Sequence, residues 1–231
     1  EATADFAAVI KRSRGVAEGM SKGVQFLMKK NKIDVIMGTG KVKPGQKIEV
    51  KAADGSQQEL TAKNIIIATG ARSRELPNLK QDGKKVIGYR QAMVLPELPK
   101  SMVVVGSGAI GVEFAYFYAT MGTKVTIVEF MENIVPVEDE DVSKQMLRSL
   151  KKTGIEILTS SSVESVDTSG TGCKVQVKTA AGMQTIECDI VLSAAGIVAN
   201  IENIGLEETG IKTEKGKVVV DEFYNTSVKG Y

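Results

Sequence analysis

The spacing of apolar residues changes character several times along the chain, and each change predicts a different element. Over residues 1–30, Phe6, Val9, Ile10, Val16, Met20, Val24, Leu27 and Met28 recur on a helical period with no proline among them. One long helix is expected there, stopping near Asn31. Gly15, Gly19 and Gly23 recur within it at every fourth position. Because Lys11, Arg12, Arg14, Glu18 and Lys22 surround them, they predict close packing against another element rather than a membrane face.

From residue 33 to 68 the pattern shortens to β runs at 33–37, 47–51 and 59–61, broken by turn residues at 38–40 and at Asp54-Gly55. This predicts a meander. The run Ile65-Ile66-Ile67-Ala68 then predicts a buried strand. Thr69-Gly70 directly after it is either a plain strand-end turn or a point where backbone approaches a ligand closely.

Residues 71–100 contain Pro77, Asp82-Gly83, Pro96 and Pro99 and read as a connection into a second unit. Beyond it the order is strand 102–105, helix 108–121, strand 124–129, helix 139–153 and strand 155–158, which implies a parallel sheet. The second of these helices carries Val142, Met146, Leu147 and Leu150 as its apolar positions. Acids open it, Lys151 and Lys152 close it, and Gly154 follows. Antiparallel runs are expected near 163–167, 173–178 and 184–187, the last two joined at Ala181-Gly182, before a buried strand at 190–194 reaches Gly196. A short helical stretch after Asn200, a Lys215-Gly216 turn and a strand at 217–220 complete the pattern. The fold class is therefore α/β, a parallel sheet plus an antiparallel meander, with a domain boundary within 71–100.

Composition narrows the chemistry. The 231 residues are 42% hydrophobic, enough to fill a core, and the net charge of +2 supplies no field to collect nucleic acid or an anionic membrane. No apolar run approaches the ~20 residues of a membrane helix, and the N-terminal residues lack the layout of a secretory signal. The histidine count is zero, which removes Ser-His-Asp and Cys-His sites. Two cysteines are too few for a disulfide scaffold or a four-thiolate zinc site. The alternation over 173–178 turns Cys173 inward beside Val175 and Val177, so it reads as a buried structural thiol.

The informative motif is Gly106-Ser107-Gly108-Ala109-Ile110-Gly111, directly after a strand and opening a helix. In such a fingerprint Gly106 permits the tight turn, Gly108 lets backbone reach a pyrophosphate at the helix start, and Gly111 lets helix lie on strand. The competing reading is that these glycines serve only the packing of helix on sheet. Glu129, at the end of the next strand, is placed to accept both ribose hydroxyls of an adenosine. With Phe130, Met131 and Glu132 after it and no arginine, it favours NAD over NADP.

On these residues, and on 23–32, Ile66-Ile67-Ala68-Thr69-Gly70, the GxGxxGxE stretch ending at Glu113 and the run 190–196, the chain resembles the flavin-dependent pyridine nucleotide-disulfide oxidoreductases. Its lipoamide dehydrogenase-like branch is nearest. The resemblance implies that the chain is a central piece of such an enzyme: a Rossmann-like NAD domain at 72–198 between incomplete parts of an FAD domain, at 1–71 and 199–231. It implies FAD contacts at Gly40, Thr69, Gly70 and Ala71. Toward NAD it implies Gly106, Gly108, Ile110, Gly111, Glu113, Glu129, Val163 and Gly196. The full-length enzyme would oxidise dihydrolipoamide, free or on a lipoylated protein of a 2-oxo acid dehydrogenase complex, through a cysteine pair and FAD, as a homodimer in the cytoplasm or mitochondrial matrix. The first GxGxxG, the Cys-x4-Cys pair and the His-Glu base of that family are not among these residues, so the chain alone is expected to be inactive. One departure is that Ile197-Val198-Ala199-Asn200 stands where the family usually has Arg and Pro-Asn. The alternatives are another flavin disulfide reductase, an NADH oxidase, or a nucleotide-binding module without catalysis.

Overall fold

The computed structural model describes residues 4–231. In chain order the first elements are helix α1 (Phe6–Lys30), strands β1 (Thr39–Lys43), β2 (Lys47–Lys51) and β3 (Gln57–Thr61), then β4 (Ala71–Ser73). Next come β5 (Val86–Ile87), α2 (Tyr89–Ala92), β6 (Ser101–Val105), α3 (Ala109–Met121), β7 (Lys124–Val128), α4 (Glu140–Lys152) and β8 (Glu156–Leu158). Strands β9 (Ser162–Asp167), β10 (Cys173–Thr179), β11 (Gly182–Cys188), β12 (Ile190–Ser193) and β13 (Ile197–Ala199) follow. Helix α5 (Leu206–Thr209) and strands β14 (Thr213–Glu214) and β15 (Lys217–Val218) end the order. The chain divides into two compact units, one of residues 4–19 with 73–197 and the other of residues 20–72 with 198–231.

The first unit is built on a five-stranded sheet ordered β5-β12-β6-β7-β8, with every pairing parallel. Its central strands carry Val103, Val104, Val125 and Ile127, all essentially without solvent exposure, as strands covered on both faces must. On one face Met102, Val104 and Ile127 pack with Val112, Ala115 and Tyr118 of α3 and with Leu150 of α4. Phe6, at the start of α1, joins this cluster with its ring 6.1 Å from that of Tyr118. The other face, through Val103, Val105 and Val191, meets Val175, Val177 and Cys173 from the three-stranded sheet β11-β10-β9. Cys173 is thus buried beside the two valines, and Cys188 sits directly opposite it in register. Burial pushes the Cys173 thiol up from its ordinary range and Cys188 up to about 12. Asp139 accepts a hydrogen bond from the Asp141 amide at 2.8 Å and starts α4, where Glu140 and Lys144 pair across one turn.

The second unit holds the meander β1-β2-β3, with Gly40 opposite Val50, and the hairpin β14-β15. Its core is small: Val42, Ile65, Leu206 and Ile211. The Tyr231 hydroxyl closes it by donating to the Lys43 carbonyl and accepting from the Gln46 amide at 2.7 Å.

Four expectations differ. Residues 33–37 and 65–68 form no strand; Ile66 is 90% exposed and Met37 80%. An apolar run becomes a strand only against a neighbouring strand that satisfies its amides and carbonyls, and among the described residues no strand pairs with either run, although Ile65 is buried and its amide donates to the Gly230 carbonyl at 2.8 Å. The meander accordingly starts at Thr39, inside the expected turn. Among the described residues the glycines of α1 meet no partner: a Cβ at Gly15, Gly19 or Gly23 would touch nothing within 4 Å, and Val16, Met20 and Val24 are exposed. Finally, residues 71–100 are more than a connection, because Val86 and Ile87 pair with β12 and form the edge strand of the parallel sheet.

Candidate functional site

At the carboxyl ends of β12, β6 and β7 lies a cleft of about 630 Å³, contained wholly within the first unit. Parallel sheets with helices across their faces bind ligands at this end, since loops and helix starts converge there. Gly106, Gly108, Glu129, Val163 and Gly196 line it. Ile110, Gly111 and Glu113 lie on α3 outside the lining, with Glu113 exposed. Gly40, Thr69, Gly70 and Ala71 belong to the second unit and line none of the described cavities. Asn200 donates to the Thr69 carbonyl from its side chain at 3.1 Å and to the Gly70 carbonyl from its backbone at 3.0 Å.

The three glycines of the fingerprint answer to different constraints. Gly106 leaves β6 with φ of +100°, and a Cβ on it would fall 2.6 Å from the Ala194 carbonyl oxygen. Both the turn and the neighbouring strand end require glycine there. At Gly111 a Cβ would run into the carbonyl oxygen of Gly106, so α3 can lie this close to the β6 turn only without one. Gly108 is different. Its φ of −65° suits any residue, and a Cβ would meet nothing within 4 Å. No side chain caps α3 at Gly108, and the first intrahelical bond runs from Val112 N–H to the Gly108 carbonyl. The amides of Ala109, Ile110 and Gly111 therefore lack α-helical partners and carry the positive end of the helix dipole.

Glu129 is 7% exposed, and its carboxylate is fixed from two sides. Oε2 accepts from the Ser107 amide at 2.8 Å and from the Ser107 hydroxyl at 2.5 Å; Oε1 accepts from the Met131 amide at 2.7 Å. A carboxylate oxygen has two acceptor positions, so Oε2 is filled and Oε1 keeps one for a further donor. The buried acid is thus held in place by the fingerprint loop itself. Phe130 and Val137, 76% and 89% exposed, supply apolar surface in the wall beside it.

Sequence reasoning overlooked Ser107, Arg74 and Asn78. Ser107 occupies a variable position of the fingerprint, and its burial with Glu129 is visible only once the strand ends are placed together. Arg74 and Asn78 come from the stretch read as a connection. The Arg74 amide donates to the Gly196 carbonyl at 2.9 Å, and Asn78 donates to the Val163 carbonyl. Among the described residues no cluster of His, Cys, Asp and Glu could hold a metal ion, and no helix is long and apolar enough to cross a membrane.

A family model described as pyridine nucleotide-disulphide oxidoreductase matches residues 1–230. The dihydrolipoyl dehydrogenases of Zymomonas mobilis and Rhizobium etli are each 44% identical to the chain, over 97% and 98% of it and over 48% and 50% of their own lengths. Of solved structures, LpdA from Mycobacterium tuberculosis aligns over 99% of this chain and 51% of its own, with a TM-score of 0.90 and 30% identity. The HOCl-induced flavoprotein disulfide reductase RclA from Escherichia coli aligns over 98% of this chain and 51% of its own, with a TM-score of 0.83 and 27% identity. The chain spans about half the length of the curated relatives it matches. It belongs to the pyridine nucleotide-disulphide oxidoreductase family.

Proposed function

We propose that the first unit binds NAD and that the chain is the NAD-binding portion of a dihydrolipoyl dehydrogenase-like flavoprotein. The observation that carries the reading is Gly108. Neither backbone conformation nor packing in this chain asks for glycine there, and the space it leaves opens into the cleft beside three helix-start amides. A phosphate approaching those amides is what a side chain at this position would obstruct. Glu129 is the second support. Its remaining acceptor position takes a ribose hydroxyl, while its charge repels a 2′-phosphate. Gly106 and Gly111 shape the loop, Ile110 contributes an amide, and Val163 and Gly196 wall the two ends. Glu113 stands on α3 as a candidate neighbour of the nicotinamide half.

In the complete protein, FAD would supply two-electron transfer, with the dithiol of dihydrolipoamide oxidised to its disulfide, NAD+ reduced to NADH and one proton released. Gly40, Thr69, Gly70 and Ala71 are proposed to border FAD. Among the described residues these four form no cradle of their own, and no step is assigned to them. A lipoylated protein of a 2-oxo acid dehydrogenase complex and a second copy of the protein are the proposed partners, and the cytoplasm or mitochondrial matrix is the proposed compartment. A second reading, a flavoprotein disulfide reductase with another substrate, is supported by the likeness to RclA. The test is calorimetric titration of NAD and NADP into the chain and into Glu129→Ala. The expected result is tighter binding of NAD by the parent and a loss of about 1–3 kcal/mol for NAD in the variant. Equal affinity for the two cofactors in the parent would contradict the assignment of Glu129. No binding of either would contradict the assignment of the unit.

A further inference from the structure

The wall of the cleft carries one charged side chain of each sign, Glu129 and Arg74. The acid is spoken for by Ser107 and Met131. The Arg74 side chain is exposed and makes no ion pair or hydrogen bond among the described residues. It is nevertheless anchored, because its backbone amide donates to the Gly196 carbonyl at 2.9 Å. Its Cζ and Nε also lie 3.9 Å from where a Cβ on Gly196 would stand. The guanidinium therefore sits at the end of β12.

The strand order β12-β6-β7 decides what this cation can reach. The fingerprint loop leaves β6 in the middle, Glu129 follows β7 on one side, and Gly196 with Arg74 follows β12 on the other. Adjacent strands are ~4.8 Å apart, so the strand ends that carry Glu129 and Gly196 stand roughly 10 Å apart with the β6 end and the start of α3 between them. A ligand whose adenosine hydroxyl meets Glu129 and whose first phosphate meets those amides presents its second phosphate and its far half toward Arg74. A planar guanidinium matches two phosphate oxygens at once. From this arrangement, and resting on the dinucleotide reading above, we infer that Arg74 binds the pyrophosphate on its nicotinamide side. It is a binding residue that lies outside the glycine fingerprint. Because it stands away from the adenosine ribose, it contributes equally to NAD and NADP.

The experiment is a titration of NAD, NADP and AMP into the full 231-residue chain, Arg74→Gln and Arg74→Lys. AMP carries only the adenosine and the first phosphate. Arg74→Gln is expected to weaken NAD about tenfold and NADP by the same factor, with AMP unchanged within about twofold and Arg74→Lys falling between. Retained AMP binding shows at the same time that the variant is folded. Unchanged NAD affinity in Arg74→Gln would overturn the inference while leaving the dinucleotide reading intact, and so would an equal loss for AMP. A parent chain that binds neither NAD nor AMP would overturn both.

Discussion

Ile127 and Ile66 are the same residue type in apolar runs of similar strength, yet one is fully buried and the other 90% exposed. Ile127 lies on β7, which has β6 and β8 hydrogen-bonded on either side and a helix layer across its face. Ile66 has no strand beside it among the described residues. The same contrast separates the glycines. Gly106 and Gly111 are pressed against backbone in the first unit, while Gly15, Gly19 and Gly23 face open space along α1. Apolar pattern states a demand for burial, and only the neighbours the chain supplies decide whether that demand is met. The parallel sheet of the first unit meets it from that unit's own residues. Helix α1, whose Gly15, Val16 and Gly19 belong to the same unit, and the second unit leave part of their apolar sequence uncovered in this chain, which spans about half of its relatives' length.

The contrast is broken most sharply at its two isoleucines. Ile127→Ala should destabilise the first unit by about 2–5 kcal/mol, whereas Ile66→Ala should change stability by less than about 0.5 kcal/mol. Urea unfolding of both variants measures this. Equal effects would mean that Ile66 is packed after all.

A smaller effect tests the first unit's burial from the side of pH. Tyr118 is fully buried, its hydroxyl donates to the Ala92 carbonyl at 2.6 Å, and burial pushes it up to about 12. Cys188 is likewise held neutral up to about 12. Both groups lose their protons sooner in the unfolded chain, near 9 for the thiol and 10 for the phenol. Their stabilising effect is therefore complete below about pH 9 and is lost as pH rises toward 12. Tyr118→Phe should lose about 1–3 kcal/mol at neutral pH and show a shallower decline above pH ~10. A parallel decline in parent and variant would contradict the burial of the phenol.

The smallest expected change has the opposite sign. With nothing near its missing side chain, Gly19→Ala should stabilise α1 in this chain by roughly 0.5–1 kcal/mol through helix propensity. Destabilisation would instead reveal a close partner for that face.

Most elements of the first unit were legible in the sequence. Strand 102–105, the α3 and α4 helices, and the inward alternation of Cys173, Val175 and Val177 all carried complete local signals, and the structure forms each of them. The strand β5 was not legible, because two residues, Val86 and Ile87, are too short a run to signal anything before β12 pairs with them. At 33–37 and 65–68 the signal was present but the pairing was not. Of the cleft, the glycines and Glu129 were visible because their spacing is local. Ser107, Arg74 and Asn78 were not, since their roles arise from strand ends that lie far apart in sequence.

On the dinucleotide reading, the space at Gly108 belongs to bound NAD rather than to the protein's own packing, and Gly108→Ala with Gly111→Val as its counterpart tests this most directly. Thermal unfolding and NAD titration are measured on both. Gly111→Val should lower stability by about 3 kcal/mol, because its side chain runs into the Gly106 carbonyl. Gly108→Ala should remain within about 1 kcal/mol of the parent in stability and yet lose most of its affinity for NAD. NAD binding by Gly108→Ala as tight as that of the parent would mean that no phosphate rests on this loop, and would contradict the assignment of the cleft.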